Sequence, residues 1–147
     1  MLKKMFLTAF LVLVVVSTSQ ANPLAEAIGK WIESPPGYGT VIDENYNALL
    51  VQSPLGKKCF FTLIPNKTFF REQDYVSFRV DKNKPEYFRV RTYERDSAII
   101  AVPNQYVKQV MEGNELAIIH GERKFEFSLK NADDILYKIM TSEDSDL

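Results

Sequence analysis

Residues that build metal centres and catalytic groups are scarce in this 147-residue chain. It contains one cysteine, Cys59, and one histidine, His120, so it can form no intramolecular disulfide and cannot supply the ligand set of a zinc site. No spacing of its acidic residues matches a calcium-binding loop. A single histidine without a recognisable nucleophile and an orienting acid gives no catalytic triad. The sequence therefore predicts neither a metal nor any other cofactor.

The sequence also lacks a hydrophobic run of membrane-spanning length. The mostly apolar run from Met5 to Val16 has only 12 residues, whereas a spanning helix needs about 20. Two lysines precede this run and small residues follow it up to Ala21, which is the pattern of a secretory signal peptide. We therefore predict a signal peptide over residues 1–21, export to the periplasm or outside the cell, and no stable membrane insertion of the product.

Residues 22–147 have the size of one domain that buries its own core. We predict a single exported β-rich domain with a frayed acidic tail from about residue 141. The formal net charge of the whole chain is −1, and the exported part is slightly more acidic because two lysines leave with the signal peptide. This charge argues against nucleic acid as a partner. Cys59 lies in an apolar run, so we expect a buried, inert thiol.

Short β-like runs dominate the rest of the sequence, and turn-forming residues separate several of them. The predicted strands are residues 47–52, 58–64, 75–81, 87–95, 97–102, 115–120 and 123–129. Helical apolar stripes predict a helix over residues 24–32, a short helix between Pro103 and Gly113, and a final helix from Ala132 to about Met140. Residues 31–33 are also compatible with a strand.

This order of elements has no regular alternation of strands and helices. It predicts an α+β, mainly β fold: an antiparallel sheet or β-sandwich of about seven strands, with a C-terminal helix and one or two short helices.

Two neighbouring predicted strands place arginines and tyrosines on one face of the sheet. Tyrosine and arginine are enriched in binding hot spots, and arginine recognises carboxylates and phosphates through two parallel hydrogen bonds. The ordinary alternative is a solvated face whose arginines are neutralised by Glu72, Asp74, Asp81, Glu86 and Glu94. The predicted face carries Tyr75, Arg79, Tyr87, Arg89, Arg91, Tyr93 and Arg95. As partner-binding residues we predict Arg79, Arg89, Arg91, Tyr93 and Arg95.

The C-terminal half has a spacing of motifs that resembles small exported bacterial envelope proteins. Arg79-Val80-Asp81 is followed by Pro85, then by a helix that leads into 110–116, and then by 125–129 and a last amphipathic helix. Over about residues 75–140 the chain resembles the invasion-associated locus B family and the periplasmic accessory proteins of type VI secretion. The resemblance implies a β-rich core with no established catalytic residues. It also implies a structural ion pair between Arg79 and Asp81 beside a turn.

We therefore expect a non-enzymatic periplasmic binding or accessory protein of the cell envelope, whose partner is another envelope or exported protein. An inhibitor or immunity protein against a toxin or lysozyme fits the same description, with the loops 34–40 and 65–74 as further contact candidates. One rival interpretation is a small hydrolase that uses His120 with Glu122 or Asp43. Another is a carrier of an apolar ligand, suggested by the ten phenylalanines.

Overall fold

The computed structural model describes residues 23–54, 58–66 and 74–141. The predicted signal peptide, most of the loop 65–74 and the acidic tail lie outside these residues. The strands in this part of the chain are β1 (Ile32–Glu33), β2 (Gly39–Ile42), β3 (Ala48–Gln52), β4 (Lys58–Ile64), β5 (Tyr75–Val80), β6 (Glu86–Glu94), β7 (Ser97–Pro103), β8 (Glu115–His120) and β9 (Arg123–Ser128). The helices are α1 (Pro23–Glu26), α2 (Asn104–Glu112) and α3 (Ala132–Thr141).

The nine strands form one antiparallel sheet in the order β1-β2-β3-β4-β7-β6-β5-β8-β9. The sheet curls into a half-barrel, and this curl brings its first and last strands towards each other. The indole Nε1 of Trp31 donates a hydrogen bond of 2.7 Å to the carbonyl oxygen of Ser128 at the end of β9. Ile28 and Ile42 form a parallel bridge next to this contact. The chain before β1 therefore links the two edges of the sheet.

The prediction of a mainly β fold with antiparallel strands and a C-terminal helix is confirmed. The strand number of about seven is wrong, because β2 was not predicted and β1 was given only as the alternative to a helix over residues 31–33. All four residues of β2 are buried, so this strand shows no alternation of polar and apolar residues. The predicted helix over 24–32 is reduced to α1. Gly29 has a φ of 76°, which no helix residue adopts, and its N–H donates to the carbonyl of Ile42.

The concave face of the sheet packs on α2 and α3, and together they enclose the main hydrophobic core. Cys59 is fully buried there, as predicted, and burial raises the pKa of its thiol. Each large apolar side chain buried in this way stabilises the fold by about 1.5–3 kcal/mol relative to an exposed one. The sheet contributes Val41, Leu49, Val51, Phe61, Leu63, Val76, Phe78, Val80, Ile100, Leu116, Ile118, Phe125 and Phe127, and the helices contribute Tyr106, Val107, Val110, Ala132, Leu136 and Ile139.

Helix α3 packs most closely on the sheet at Gly39 of β2. A Cβ atom at this position would lie 2.8 Å from Ile139 Cδ1 and 3.0 Å from Ile135 Cγ2, which leaves no room for a side chain. Lys138 of the same helix forms an ion pair of 2.7 Å with Glu33 of β1. This contact lowers the pKa of the Glu33 carboxyl, chiefly through the hydrogen bond from Lys138. The C-terminal helix is thus attached to the edge of the sheet that the sequence analysis missed.

The turn after β5 is joined to the start of β8 by Asp81. This residue has a φ of 54°, and its carboxylate accepts hydrogen bonds from the backbone N–H groups of Asn114 at 3.0 Å and Glu115 at 2.9 Å. Arg79 instead donates from Nε to the carbonyl of Asn83 at 3.1 Å. The ion pair between Arg79 and Asp81 that the resemblance implied is therefore not formed, because each side chain is bonded to backbone groups of a different segment.

Gly113 ends α2 as predicted, but its backbone is extended, with a φ of −94°, so a left-handed conformation is not the reason for glycine here. A Cβ atom at this position would overlap Val80 Cγ1 and lie 3.3 Å from Asp81 Oδ2. The absence of a side chain at Gly113 allows the α2–β8 junction to lie against the end of β5.

We expect Gly113→Ala to lower the free energy of unfolding by about 1–3 kcal/mol, since the added methyl group overpacks against Val80. Urea unfolding of the wild type, Gly113→Ala, Val80→Ala and the double variant measures the effect. In the double variant the shortened side chain makes room for the new methyl group, so its loss of stability is smaller than the sum of the single losses. Strictly additive losses would contradict this explanation.

We expect Asp81→Ala to lower the free energy of unfolding by about 1–3 kcal/mol, because two backbone donors lose a charged acceptor. Arg79→Ala, which removes one exposed hydrogen bond, should change it by less than about 0.5 kcal/mol. Asp81→Asn keeps an acceptor oxygen and tolerates the left-handed backbone, so it should be milder than Asp81→Ala. Equal losses for Asp81→Ala and Arg79→Ala in urea unfolding would argue for an ion pair instead.

Candidate binding face

Strands β5 and β6 alternate between core and solvent, as the sequence predicted. Tyr75 of β5 is directly opposite Arg89 of β6, and Ser77 is directly opposite Tyr87. On its other side Ser77 is opposite Ile119 of β8. Tyr87 is 70% exposed, Tyr75 56% and Ile119 39%, so three large side chains are open to solvent on one face. Exposed aromatic and aliphatic groups in one contiguous patch are typical of a binding surface.

A register shift between Val90 and Thr92 interrupts the pairing of β6 with β7. Such a bulge adds one residue to a strand and reverses which side chains face the core. Thr92 is therefore paired with Ile99, and Tyr93 is paired with the fully buried Ala98. The expectation that Tyr93 shares a face with Arg89 is wrong, because its ring packs against the hydrophobic core.

Arg91 is the residue at the bulge, and it is exposed. Its guanidinium carbon lies 5.4 Å from the centre of the Phe60 ring, within the range of a cation–π contact. Phe60 stands between the fully buried Cys59 and Phe61 on β4, so its own ring is on the convex face of the sheet. The contact therefore holds the Arg91 side chain over the convex face, on the same side as Arg89.

The remaining predicted arginines lie at the margins of this surface. Arg79 is two residues along β5 from Ser77, about 7 Å away, and its Nε is bonded to the turn at Asn83. Arg95 has a φ of 54° and lies in the turn just beyond β6. We define the arginine-tyrosine face by the residues that the fold brings together on the convex side of β5, β6 and β8, namely Tyr75, Tyr87, Arg89, Arg91 and Ile119.

Of the acidic residues in the ordinary alternative, those that the structure describes, Asp74, Asp81, Glu86 and Glu94, form no ion pair with the arginines of the predicted face. Glu72 lies outside the described residues. The ion pairs found within the described ranges join Lys124 to Glu126 at 3.2 Å and Lys138 to Glu33 at 2.7 Å. None in those ranges involves Arg79, Arg89, Arg91 or Arg95. Strand β5 contains no carboxylate, and the two carboxylates of β6, Glu86 and Glu94, are at its ends. The two arginines of the arginine-tyrosine face therefore have no ion-pair partner within the described residues.

Negatively charged residues lie where the first and last strands of the sheet approach each other, a region that we call the seam. An open cleft of about 400 Å³ lies there. Lys124 is its one basic residue and is already paired with Glu126. The carboxylates that line it belong to Asp43, Glu44, Glu115 and Glu126. No group of three or more potential metal ligands is found in the part of the chain that the structure describes.

The only histidine faces the core rather than a cleft. His120 is 4% exposed, and its Nε2 lies 3.0 Å from the hydroxyl oxygen of Tyr93, which the bulge in β6 has turned inward. Burial lowers the pKa of His120, a backbone hydrogen bond opposes that effect, and the nearby Arg123 adds to it. The imidazole is thus a neutral hydrogen-bonding group next to a phenol.

The two carboxylates proposed as partners of His120 lie in turns. Asp43 accepts hydrogen bonds from the backbone N–H groups of Asn45 at 2.9 Å and Asn47 at 2.8 Å, and from the side-chain amide of Asn47. These bonds shape the β2–β3 turn. Glu122 is exposed in the β8–β9 turn. The described hydrogen bonds therefore assign Asp43 a structural role in its turn and pair His120 with Tyr93.

Aromatic rings fill the space between the sheet and α2. Phe78 packs edge-to-face on Phe61, Phe88 and Tyr106, with ring centres 5.2–6.2 Å apart. Burial, together with the Glu86 carboxylate, raises the pKa of Tyr106 to about 12, so this phenol stays neutral. Three of the ten phenylalanines that suggested an apolar carrier thus pack with Tyr106 as part of the core.

No protein-family model, curated protein or solved structure matches this chain. No helix in the described part of the chain is long and apolar enough to cross a membrane.

We expect the free energy of unfolding to fall between about pH 7.5 and about pH 5.5, the range in which an ordinary imidazole gains its proton. Because burial lowers the pKa of His120 in the folded protein, the unfolded chain binds that proton first and is favoured as the pH falls. Urea unfolding at both pH values measures the effect. His120→Gln keeps a polar side chain but does not titrate, so its stability should vary less. Equal pH dependence of the two proteins would contradict the assignment.

Proposed function

We propose that this chain is a non-enzymatic periplasmic accessory protein that binds another envelope or exported protein through the arginine-tyrosine face. One observation carries the proposal: arginines without an ion-pair partner in the described chain lie beside three exposed apolar or aromatic side chains. Asp43, by contrast, accepts hydrogen bonds from the backbone and the side-chain amide of Asn47.

The chemistry of this surface suits a protein partner. Tyrosine and arginine supply a large part of the binding energy at protein interfaces, and hot spots are those that become fully desolvated in the complex. Tyr75 and Tyr87 lie in paired strands, opposite Arg89 and Ser77, so they lose little backbone freedom on binding. A rigid sheet face with exposed aromatic groups reduces the entropy loss that limits affinity.

The location in the cell envelope is supported by the sequence. The predicted signal peptide directs export, and the resemblance of residues 75–140 to exported envelope proteins agrees with that compartment. An inhibitor or immunity protein is the form of this proposal in which the partner is a toxin or a lysozyme. The identity of the captured partner distinguishes it from a general accessory role.

The test is affinity capture from an envelope extract with the exported form of the wild type and with Arg89→Glu/Arg91→Glu. The control is Lys108→Glu/Lys130→Glu, an equal change of charge at two exposed residues outside the face. Circular dichroism first establishes that all three proteins are folded. We expect the wild type and the control to retain a partner that the face variant loses.

The captured partner is then purified and its affinity measured by titration calorimetry. We expect the face variant to weaken binding by at least about tenfold, the effect of losing one hot-spot residue. Equal affinity for the face variant and the wild type would move the contact to another surface. Failure of the wild type to retain any partner would reject the proposed binding function.

A further inference from the structure

We infer that the arginine-tyrosine face recognises an extended acidic protein segment, with carboxylates at alternate positions that pair with Arg89 and Arg91 and with apolar side chains that contact Tyr75, Tyr87 and Ile119. The inference rests on the binding function proposed above and specifies the chemistry of the partner.

The Arg91 side chain is already positioned to bind a carboxylate in the free protein. The bulge in β6 gives it a position outside the regular pairing with β7, and the Phe60 ring supports its guanidinium at 5.4 Å. Contact with an aromatic face does not use the N–H groups of arginine, which remain available for a carboxylate. An arginine that is already held in place loses less side-chain entropy when it forms two parallel hydrogen bonds.

Arg89 provides the second cation. It lies two residues before Arg91 and projects from the convex face opposite Tyr75. Two residues of a strand span about 7 Å, and two acidic residues at alternate positions of an extended segment span the same distance. Neighbouring arginines without a carboxylate between them repel each other, and a pair of carboxylates placed across them removes that repulsion.

The apolar residues of the face favour a protein segment over a phosphate-bearing surface. Tyr87, Ser77 and Ile119 lie in one row across β6, β5 and β8, next to the Arg89–Tyr75 pair. In an extended segment, the side chain between the two acidic residues points away from the sheet. Alternate residues beyond the acidic pair point towards the sheet again and can cover Tyr87 and Ile119. A purely anionic ligand would leave these side chains exposed, whereas a mixed acidic and apolar segment buries them.

The test uses fluorescence anisotropy with a short labelled peptide, the alternating peptide, in which two glutamates at alternate positions are followed by two leucines at alternate positions. Serine fills the positions between them, so that the glutamates and leucines all point to one face of the extended segment. A second peptide of identical composition places its glutamates in one block and its leucines in another. We expect the wild type to bind the alternating peptide more tightly than the block peptide, and added salt to weaken that binding. Equal binding of the two peptides, or no binding of the alternating one, would overturn the inference.

Three variants examine how Arg91 acts. Arg91→Lys keeps the charge but removes the two-pronged donor, and we expect it to weaken binding by about tenfold. Phe60→Leu keeps both arginines and removes only the ring beneath Arg91, with an expected loss of about two- to fivefold. Lys108→Gln is the control and should bind as the wild type does. Unchanged affinity in Arg91→Lys and Phe60→Leu would reject the role given to Arg91.

Anionic sources other than protein are separate arms of the same experiment. Inorganic phosphate is used as a competitor, and vesicles of equal parts phosphatidylglycerol and phosphatidylethanolamine are tested by sedimentation. Binding of vesicles without binding of the alternating peptide would assign the face to a lipid surface and overturn the inference. If envelope capture depends on Arg89 and Arg91 but the peptide does not bind, the proposed function stands and only the acidic segment is rejected.

Discussion

The arrangement of both sides of the sheet depends on one extra residue in β6. The bulge between Val90 and Thr92 leaves Arg91 on the convex face over Phe60 and turns Tyr93 to the concave face, where its hydroxyl meets His120. Without the bulge, strict alternation would expose the Tyr93 phenol and leave buried His120 without that hydrogen-bond partner, which is unfavourable for a polar group in the core. The same backbone irregularity therefore satisfies a buried polar group and shapes the arginine-tyrosine face, so that a change to one affects the other.

Contacts between the end of β5 and the start of β8 hold the arginine-tyrosine face in place on the curled sheet. Asp81 and Gly113 join the β5–β6 turn to the start of β8, and this joint fixes the position of β5 between β6 and β8. The row formed by Tyr87, Ser77 and Ile119 exists only because β5 pairs with both neighbours in these registers. A shift of one residue in either pairing would send one member of the row into the core. The structural motif Arg79-Val80-Asp81 thus supports the face from its edge rather than acting as an ion pair within it.

Local patterns in the sequence predicted most of the strands and helices, but they did not predict which residues lie together in the assembled face. Strands β4 and β8 have the predicted bounds because their side chains alternate cleanly between core and solvent. Strand β2 was missed because both of its faces are buried, and α1 is short because Gly29 makes a contact with Ile42 that no local pattern reveals. Ile119 belongs to the face, and Phe60 supports it, only because of pairings between distant segments. The inward direction of the Tyr93 ring follows from the register between β6 and β7, which no local pattern shows. Period-two reasoning placed Arg89 correctly and failed just beyond the bulge.

The positions of the charged residues influence binding more than the net charge of the molecule does. A net charge near zero excludes a strong long-range field, but the molecule separates its charges: carboxylates line the cleft at the seam, while arginines without an ion-pair partner in the described chain lie on the convex face. At physiological ionic strength exposed charges act over about 8 Å, so a partner responds to the nearest group of charges and not to the total. An acidic segment is therefore attracted to Arg89 and Arg91 and repelled near Asp43 and Glu44, which orients it on the molecule before the apolar contacts form.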